Sequence, residues 1–167
     1  DYVALSGSVT ILANQTSATI DLTAIDDALL EGDETVVVKL ISTDNTKVTV
    51  DSANDTATVT IHDSDVALVS ISATDPDATE PDAGQSIAGD KGEYTVTMTQ
   101  PSVTNTVVNY TVLATSTADG TDYVALSGSV TILANQTSAT IDLTAIDDAL
   151  LEGDETVVVK LISTDNT

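Results

Sequence analysis

The feature that most constrains this chain is an internal repeat without a single difference. Residues 1–46 recur unchanged at 122–167, which gives a period of 121 residues (122 minus 1). Solenoid repeats span only about 20 to 50 residues, so each period is expected to be a whole domain. We expect residues 1–65 to be the carboxy-terminal part of one repeat and 66–167 to be the next repeat without its last strand. One domain holding two copies of a 46-residue motif is the weaker alternative.

Apolar and polar residues alternate with a period of two, as half-buried strands require. Over 137–146, alanine, isoleucine and leucine side chains share one face while threonine and aspartate share the other. The same alternation occurs over 94–99 and 57–62, and no segment has a helical period. Further strands are predicted over 66–74, 105–114 and 127–134, with another around 157–161. About seven strands per period, separated by Asp, Asn, Gly, Ser and Pro, predict an all-β, antiparallel, Ig-like β-sandwich.

The composition limits the classes of partner. The chain has 4 Lys and Arg against 27 Asp and Glu, a formal net charge of -23. Such a charge repels nucleic acid and anionic membrane surfaces and attracts divalent cations. There is no Cys for a disulfide framework and no apolar run of about 18 residues for membrane insertion. We therefore expect neither a nucleic-acid partner nor insertion into a bilayer.

The most specific motif is the acidic run IDDALLEGDE, at 25–34 and again at 146–155. It resembles the acidic loop of Calx-β domains, a Ca²⁺-binding sandwich family, whose pattern is Asp-Asp, any residue, an aliphatic residue, any residue, Glu and then a strand. The segment 117–132 is similar to the family's Asp-Tyr approach to the next strand. Asp122 precedes Asp147 by 25 residues (147 minus 122), a spacing that also fits the family.

The resemblance implies a set of Ca²⁺ ligands, with carboxylates from most residues and a backbone carbonyl from each leucine. In the second copy these are Asp122, Asp147, Asp148, Leu150 and Glu152, and in the first copy Asp1, Asp26, Asp27, Leu29 and Glu31. The family also uses a Glu between its first two strands and acidic residues after its last strand, which correspond here to Glu80, Asp63 and Asp65.

Elementary chemistry supports a cation at such loops. Ca²⁺ takes six to eight oxygen ligands, and four or more carboxylates held together repel one another without a cation. Isolated acidic residues, such as Asp33, Asp44 and Asp55, are expected to be solvated surface groups instead. Asp75 and Asp77 form either a simple turn or part of a second ion site.

These features predict a mechanical function in which Ca²⁺ stiffens the junctions between repeats. The chain resembles extender segments of giant calcium-dependent adhesins of the RTX and biofilm type, which implies an extracellular place on a bacterial cell surface. The alternatives are a regulatory Ca²⁺ sensor, as in sodium/calcium exchangers, and a module that binds a ligand directly. No enzymatic activity is expected, because His62 is the only His and completes no catalytic triad.

The expected partners are neighbouring repeats of the same chain and other copies of this segment. Each incomplete repeat is expected to expose open sheet edges, which favour pairing with another chain. We predict head-to-tail complementation, in which 47–65 of one molecule completes the 66–167 domain of the next. This pairing would bring Asp63 and Asp65 to the acidic loop at 146–155.

Overall fold

A computed structural model describes residues 1–81, 89–148, 151 and 153–165. All regular structure in these ranges is β, and the chain divides into two compact units, Asp1–Asp65 and Val66–Thr167. We call them the amino-terminal unit and the carboxy-terminal unit. Within the described ranges, no helix is long and apolar enough to cross a membrane.

The amino-terminal unit is organised by one antiparallel pair. β1 (Glu34–Lys39) pairs with β2 (Thr56–Ile61) in a register that runs from Glu34 opposite Ile61 to Lys39 opposite Thr56. Valine and threonine dominate both strands because their branched side chains fit the pleated surface. At the far end of the ladder the Lys39 ammonium lies 3.3 Å from the Asp55 carboxylate.

The carboxy-terminal unit is a sandwich of two antiparallel three-stranded sheets. One sheet has the order β3-β4-β7 and the other β6-β5-β8. The strands are β3 (Val69–Asp75), β4 (Lys91–Met98), β5 (Thr106–Val112), β6 (Ser129–Ile132), β7 (Ser138–Thr144) and β8 (Val159–Thr164). The all-β sandwich prediction is confirmed. β5, β6 and β7 each end two residues before the predicted ranges, whereas β3 and β8 extend one and three residues beyond them.

The core lies between these two sheets. Its buried side chains are Val96, Met98, Val108, Tyr110, Ile132 and Ile141. The predicted alternation holds along β7, where Ile141 is buried and its neighbours Thr140 and Asp142 are exposed. Since no Phe or Trp is present, β-branched side chains fill most of this core.

Identical residues have different environments in the two copies. Ile132 is fully buried, whereas the same residue in the first copy, Ile11, is 55% exposed. Ile141 is 6% exposed and its counterpart Ile20 is 46% exposed. In the carboxy-terminal unit β6 pairs with β5 and β7 with β4. Within 1–65, all of which the structure describes, no strand takes those places, and the counterparts of β6 and β7 form no strand.

Local turns, in contrast, are the same in both copies. Asn14 and Asn135 have φ of 64° and 62°, and Gly7 and Gly128 have φ of 79° and 80°. The isolated bridge from Tyr2 to Ala24 recurs as the bridge from Tyr123 to Ala145. Turn geometry therefore follows from the local sequence, whereas strand formation depends on the partner strand.

Candidate metal site

A shallow pocket in the amino-terminal unit collects most of the predicted ligands of the first copy. Seven carboxylate residues line it, and no Lys or Arg is among its lining residues. The seven are Asp1, Asp26, Asp27, Glu31, Glu34, Asp63 and Asp65. Six of them were predicted from the sequence, while Glu34 was not.

The β1–β2 ladder brings two distant parts of the chain to this pocket. Because Glu34 at the start of β1 lies opposite Ile61 at the end of β2, the residues just outside both strands meet at one end of the ladder. The Glu31 N–H donates to Asp63 Oδ2 at 2.8 Å. The Asp65 N–H donates to Asp63 Oδ1 at 3.0 Å, which turns the chain around the Asp63 carboxylate.

A backbone contact places the first residue beside the acidic loop. The Ile25 N–H donates to the Asp1 carbonyl at 2.9 Å, next to the bridge from Tyr2 to Ala24. This contact holds Asp1 against the start of the Asp26–Asp27 pair. Within the loop, the Leu29 N–H donates to Asp27 Oδ1 at 2.9 Å, so Asp27 fixes the turn in which it lies.

Three carboxylates approach one another closely enough to share a cation. Carboxylate oxygens of Asp1, Glu31 and Glu34 all lie within 4.8 Å of one another. Glu34 follows Glu31 by three residues and opens β1. This spacing was the only feature of the sequence that pointed to Glu34. The predicted carbonyl ligand Leu29 is not among the residues that line the pocket.

The pKa values of two carboxylates in the pocket are shifted in opposite directions. Partial desolvation raises the pKa of Glu31, and the nearby carboxylates of Glu34, Asp27 and Asp63 raise it further. The pKa of Asp63 is lowered, chiefly by the N–H groups of Glu31 and Asp65 that bond its carboxylate. At neutral pH the pocket therefore concentrates negative charge, and hydrogen bonds stabilise the part that Asp63 carries.

His62 lines the same pocket and bonds away from the three carboxylates. Its Nδ1 lies 2.8 Å from Asp33 Oδ1, and both side chains are largely exposed.

In the carboxy-terminal unit the second copy repeats only part of this arrangement. The Ile146 N–H donates to the Asp122 carbonyl at 2.8 Å, which matches the contact between Ile25 and Asp1. Asp147 and Asp148 follow as exposed residues. The predicted ligands Leu150 and Glu152 lie outside the described residues. Among the residues described in this unit, no three carboxylates meet within 4.8 Å.

The Asp122 carboxylate is engaged within its own loop. It accepts hydrogen bonds from the Asp119 N–H and, at 3.1 Å, from the Thr121 hydroxyl. Asp119 in turn accepts the Thr121 N–H at 2.7 Å and its hydroxyl at 2.8 Å, and these two bonds lower the pKa of Asp119. Sequence reasoning did not identify Asp119, although it lies three residues before a predicted ligand.

Glu80 lies beside a short bridge in the carboxy-terminal unit. Thr79 and Asp90 exchange two backbone hydrogen bonds of 3.0 Å each, and Glu80 follows Thr79 as an exposed residue. Asp75 and Asp77 precede the bridge, where the Asp77 N–H donates to Asp75 Oδ1 at 3.3 Å. This bond is the kind expected of a simple turn.

The chemistry of the pocket suits a hard divalent cation. Ca²⁺ prefers carboxylate and carbonyl oxygens, accepts irregular geometry and takes six to eight ligands. The pocket offers seven carboxylates from three separate segments, of which three already lie within reach of one ion. Softer metals would require Cys, which the sequence lacks, or several His, of which it has one.

Comparison with known proteins gives one match. The family model of the Calx-beta domain matches residues 1–65 and 82–167. No curated protein and no solved structure shows a significant match to the chain. The matched ranges include every residue of the acidic pocket.

Proposed function

Since the chain belongs to the Calx-beta domain family, we propose that it is a calcium-binding structural segment of a cell-surface adhesin. Calx-beta domains bind Ca²⁺ and occur typically in extracellular proteins or in exchangers. The observation that carries the proposal is the close approach of Asp1, Glu31 and Glu34 at the end of the β1–β2 ladder. The proposal assigns no catalytic chemistry to the chain.

The role of the ion is to neutralise carboxylates that otherwise repel one another. Partial desolvation and three neighbouring carboxylates raise the pKa of Glu31, so a bound cation would favour its charged form. Bound Ca²⁺ would tie together the start of the unit, the acidic loop and the segment after β2. That segment continues through Asp65 directly into Val66, with no Gly or Pro between them. Ca²⁺ binding would therefore stiffen the chain where one repeat passes into the next.

The identical copies support a function in which length matters. Each repeat would advance a rod by roughly 40 Å, given strands of about ten residues that rise about 3.3 Å each, plus loops. Extracellular calcium modules bind at about 10⁻⁴ to 10⁻³ M, so the sites would fill outside the cell and stay empty in the cytoplasm. The rod would then project a distal binding region from the surface.

The test is a thermal melt of the full chain in millimolar Ca²⁺, in Mg²⁺ and in chelator. Ca²⁺ at about ten times its Kd stabilises the folded state by about 1.4 kcal/mol, which raises Tm by several degrees. We expect this rise with Ca²⁺ and a much smaller one with Mg²⁺, because Mg²⁺ demands octahedral geometry and holds its water.

Two double variants test whether the rise in Tm with Ca²⁺ comes from binding in the pocket. The double variant E31Q/E34Q removes two pocket carboxylates, and D21N/D44N removes two carboxylates that lie outside the pocket and are exposed. The first variant should lose most of the Ca²⁺ shift of the amino-terminal unit, while the second should retain it. Equal loss in both would contradict the site and indicate a general effect of charge. Small-angle scattering that shows one length with and without chelator would contradict the extender role.

A further inference from the structure

One strand sequence occurs twice in the chain. In its first copy, the backbone groups that bond the neighbouring strand are known. ETVVVKLIST occupies 34–43 and 155–164. In the amino-terminal unit it pairs with β2, and just beyond β1 the Leu40 N–H donates to the Asp55 carbonyl at 2.7 Å. In an antiparallel ladder the N–H and C=O of one residue point to the same neighbour, and successive residues alternate. Leu40, Val38 and Val36 therefore face β2.

The second copy is bonded through the opposite edge. The Val158 carbonyl accepts the Leu113 N–H at 2.8 Å, and the Thr156 carbonyl accepts the Thr117 N–H at 3.0 Å. Thr156 and Val158 each lie an odd number of residues before Leu161, the counterpart of Leu40. Their backbone N–H and C=O groups therefore point to the edge opposite that of Leu161. The edge that bonds β2 in one unit therefore points away from β5 in the other.

That second edge carries a side-chain contact in place of a strand. Within the described part of the carboxy-terminal unit, β8 is the outer strand of the order β6-β5-β8. The Tyr94 hydroxyl donates to the Val157 carbonyl at 2.6 Å. Val157 is the counterpart of Val36, which lies opposite Val59 in the β1–β2 ladder. The Tyr94 hydroxyl thus donates to a carbonyl that would otherwise accept an N–H from a strand such as β2.

We propose that β2 of one molecule adds to this edge of a second copy of the chain. The added strand would run antiparallel to 155–160 and extend the sheet to β6-β5-β8-β2. Its register follows from the β1–β2 ladder by sequence identity: Ile61 lies opposite Glu155, Val59 opposite Val157, and Thr56 opposite Lys160.

The exchange keeps the backbone ladder and improves side-chain burial. Because ETVVVK is the same at 34–39 and 155–160, β2 loses and regains the same cross-strand partners. The ion pair of Asp55 with Lys39 is re-formed with Lys160. Val59 is 49% exposed beside β1, but it would lie next to Val157, which is half-buried and in line with Val159 and Leu161, the β8 side chains that pack on the sandwich core.

The two surfaces in this contact differ from each other, so every molecule can bind one further copy at each of them. Each molecule offers β2 from its amino-terminal unit and the β8 edge from its carboxy-terminal unit, and such head-to-tail contacts form open chains. The segment after β2 would carry Asp63 and Asp65 toward Asp147 and Asp148 of the second copy. The pairing itself rests on backbone bonds and burial, but it would remove Asp63 and Asp65 from the pocket of the amino-terminal unit.

Cross-linking of single-cysteine variants tests the register, since the natural chain has no Cys. Thr58 lies opposite Val37, whose counterpart is Val158, and all three side chains are exposed. T58C and V158C are mixed, oxidised and separated under non-reducing conditions. T60C mixed with V158C is the control, displaced by two residues on the same face. Both mixtures are studied in millimolar Ca²⁺ and in chelator, so that dependence on the ion is read separately.

We expect roughly tenfold more heterodimer from T58C with V158C, because a disulfide needs Cα atoms within about 7 Å and two residues add about 7 Å. The mass of the unmodified chain in solution should also rise with concentration. Equal cross-linking by both pairs in both buffers would overturn the proposal. A T58C/V158C double variant that closes only within one molecule, with no growth in mass, would overturn it too.

Discussion

The behaviour of each acidic residue depends on which donors lie within reach of its oxygens. Asp63 accepts two N–H groups, so its pKa falls, whereas Glu31 faces other carboxylates from a partly desolvated position, so its pKa rises. The lowered pKa of Asp63 contributes stability above its ordinary pKa, and this is lost as pH falls. The raised pKa of Glu31 contributes stability at low pH, and this is lost as pH rises through its folded-state pKa. The two effects oppose each other in one pocket.

Burial also separates residues that the sequence cannot distinguish. Ile132 and Ile11 have the same neighbours in sequence, yet one is fully buried and the other 55% exposed. We expect I132A to lower the free energy of unfolding of its unit by about 2 to 5 kcal/mol, because it leaves a cavity. I11A should cost less than about 1 kcal/mol.

Guanidinium chloride unfolding of the full chain, followed by circular dichroism at low protein concentration, measures both changes. The two variants are controls for each other, because the local sequence and the deleted atoms are identical. Losses of equal size would show that Ile11 is covered in solution.

At the scale of the element, the sequence predicted the strands of the carboxy-terminal unit but not which edge each strand uses. The alternation around 157–161 predicts a strand with an inward face, and β8 (Val159–Thr164) has one. Those residues do not determine whether β5 or β2 lies beside the strand, because both copies have the same sequence. Partner choice comes from residues far away, and so β6 and β7 are strands while their copies in 1–46 are not. For the same reason Glu34 was missed: its place in the pocket follows from the β1–β2 register.

Turns are the elements most completely determined by local sequence. Gly128 has φ of 80°, and its carbonyl accepts the Tyr110 N–H at 2.9 Å where β6 begins. G128A should destabilise the carboxy-terminal unit by about 1 to 2 kcal/mol, because an L side chain is strained at positive φ.

G120A is the matched control, since Gly120 has no positive φ and a Cβ there meets no atom within 4 Å. It should change the free energy of unfolding little or slightly increase it. Thermal unfolding of both variants measures the difference, and a G128A protein as stable as G120A would contradict the strain argument.

At the scale of the whole molecule, repulsion between like charges opposes the compact state. A net charge of -23 on 167 residues is spread over both units, and only three Lys or His groups pair with Asp among the described residues. Self-repulsion of this size destabilises a compact state. Monovalent salt should therefore stabilise the chain even when chelator has removed divalent ions.

We expect Tm in chelator to rise by several degrees when NaCl increases from about 0.01 M to about 0.15 M, because the Debye length falls from about 30 Å to about 8 Å. Differential scanning calorimetry measures the shift, with sucrose at equal osmolality as the uncharged control. A Tm that stays constant or falls with NaCl, while sucrose raises it, would contradict a dominant role of self-repulsion.

The matching turns of the two copies have a consequence for the gene. Asn14 and Asn135, Gly7 and Gly128, and the two tyrosine-to-alanine bridges have the same geometry, so these turns form in the same way in both copies. Recombination between identical stretches of DNA adds or deletes one whole period of 121 residues. Each such event would leave every turn and the reading frame intact, so it would change the number of repeats without changing the turns within any one of them.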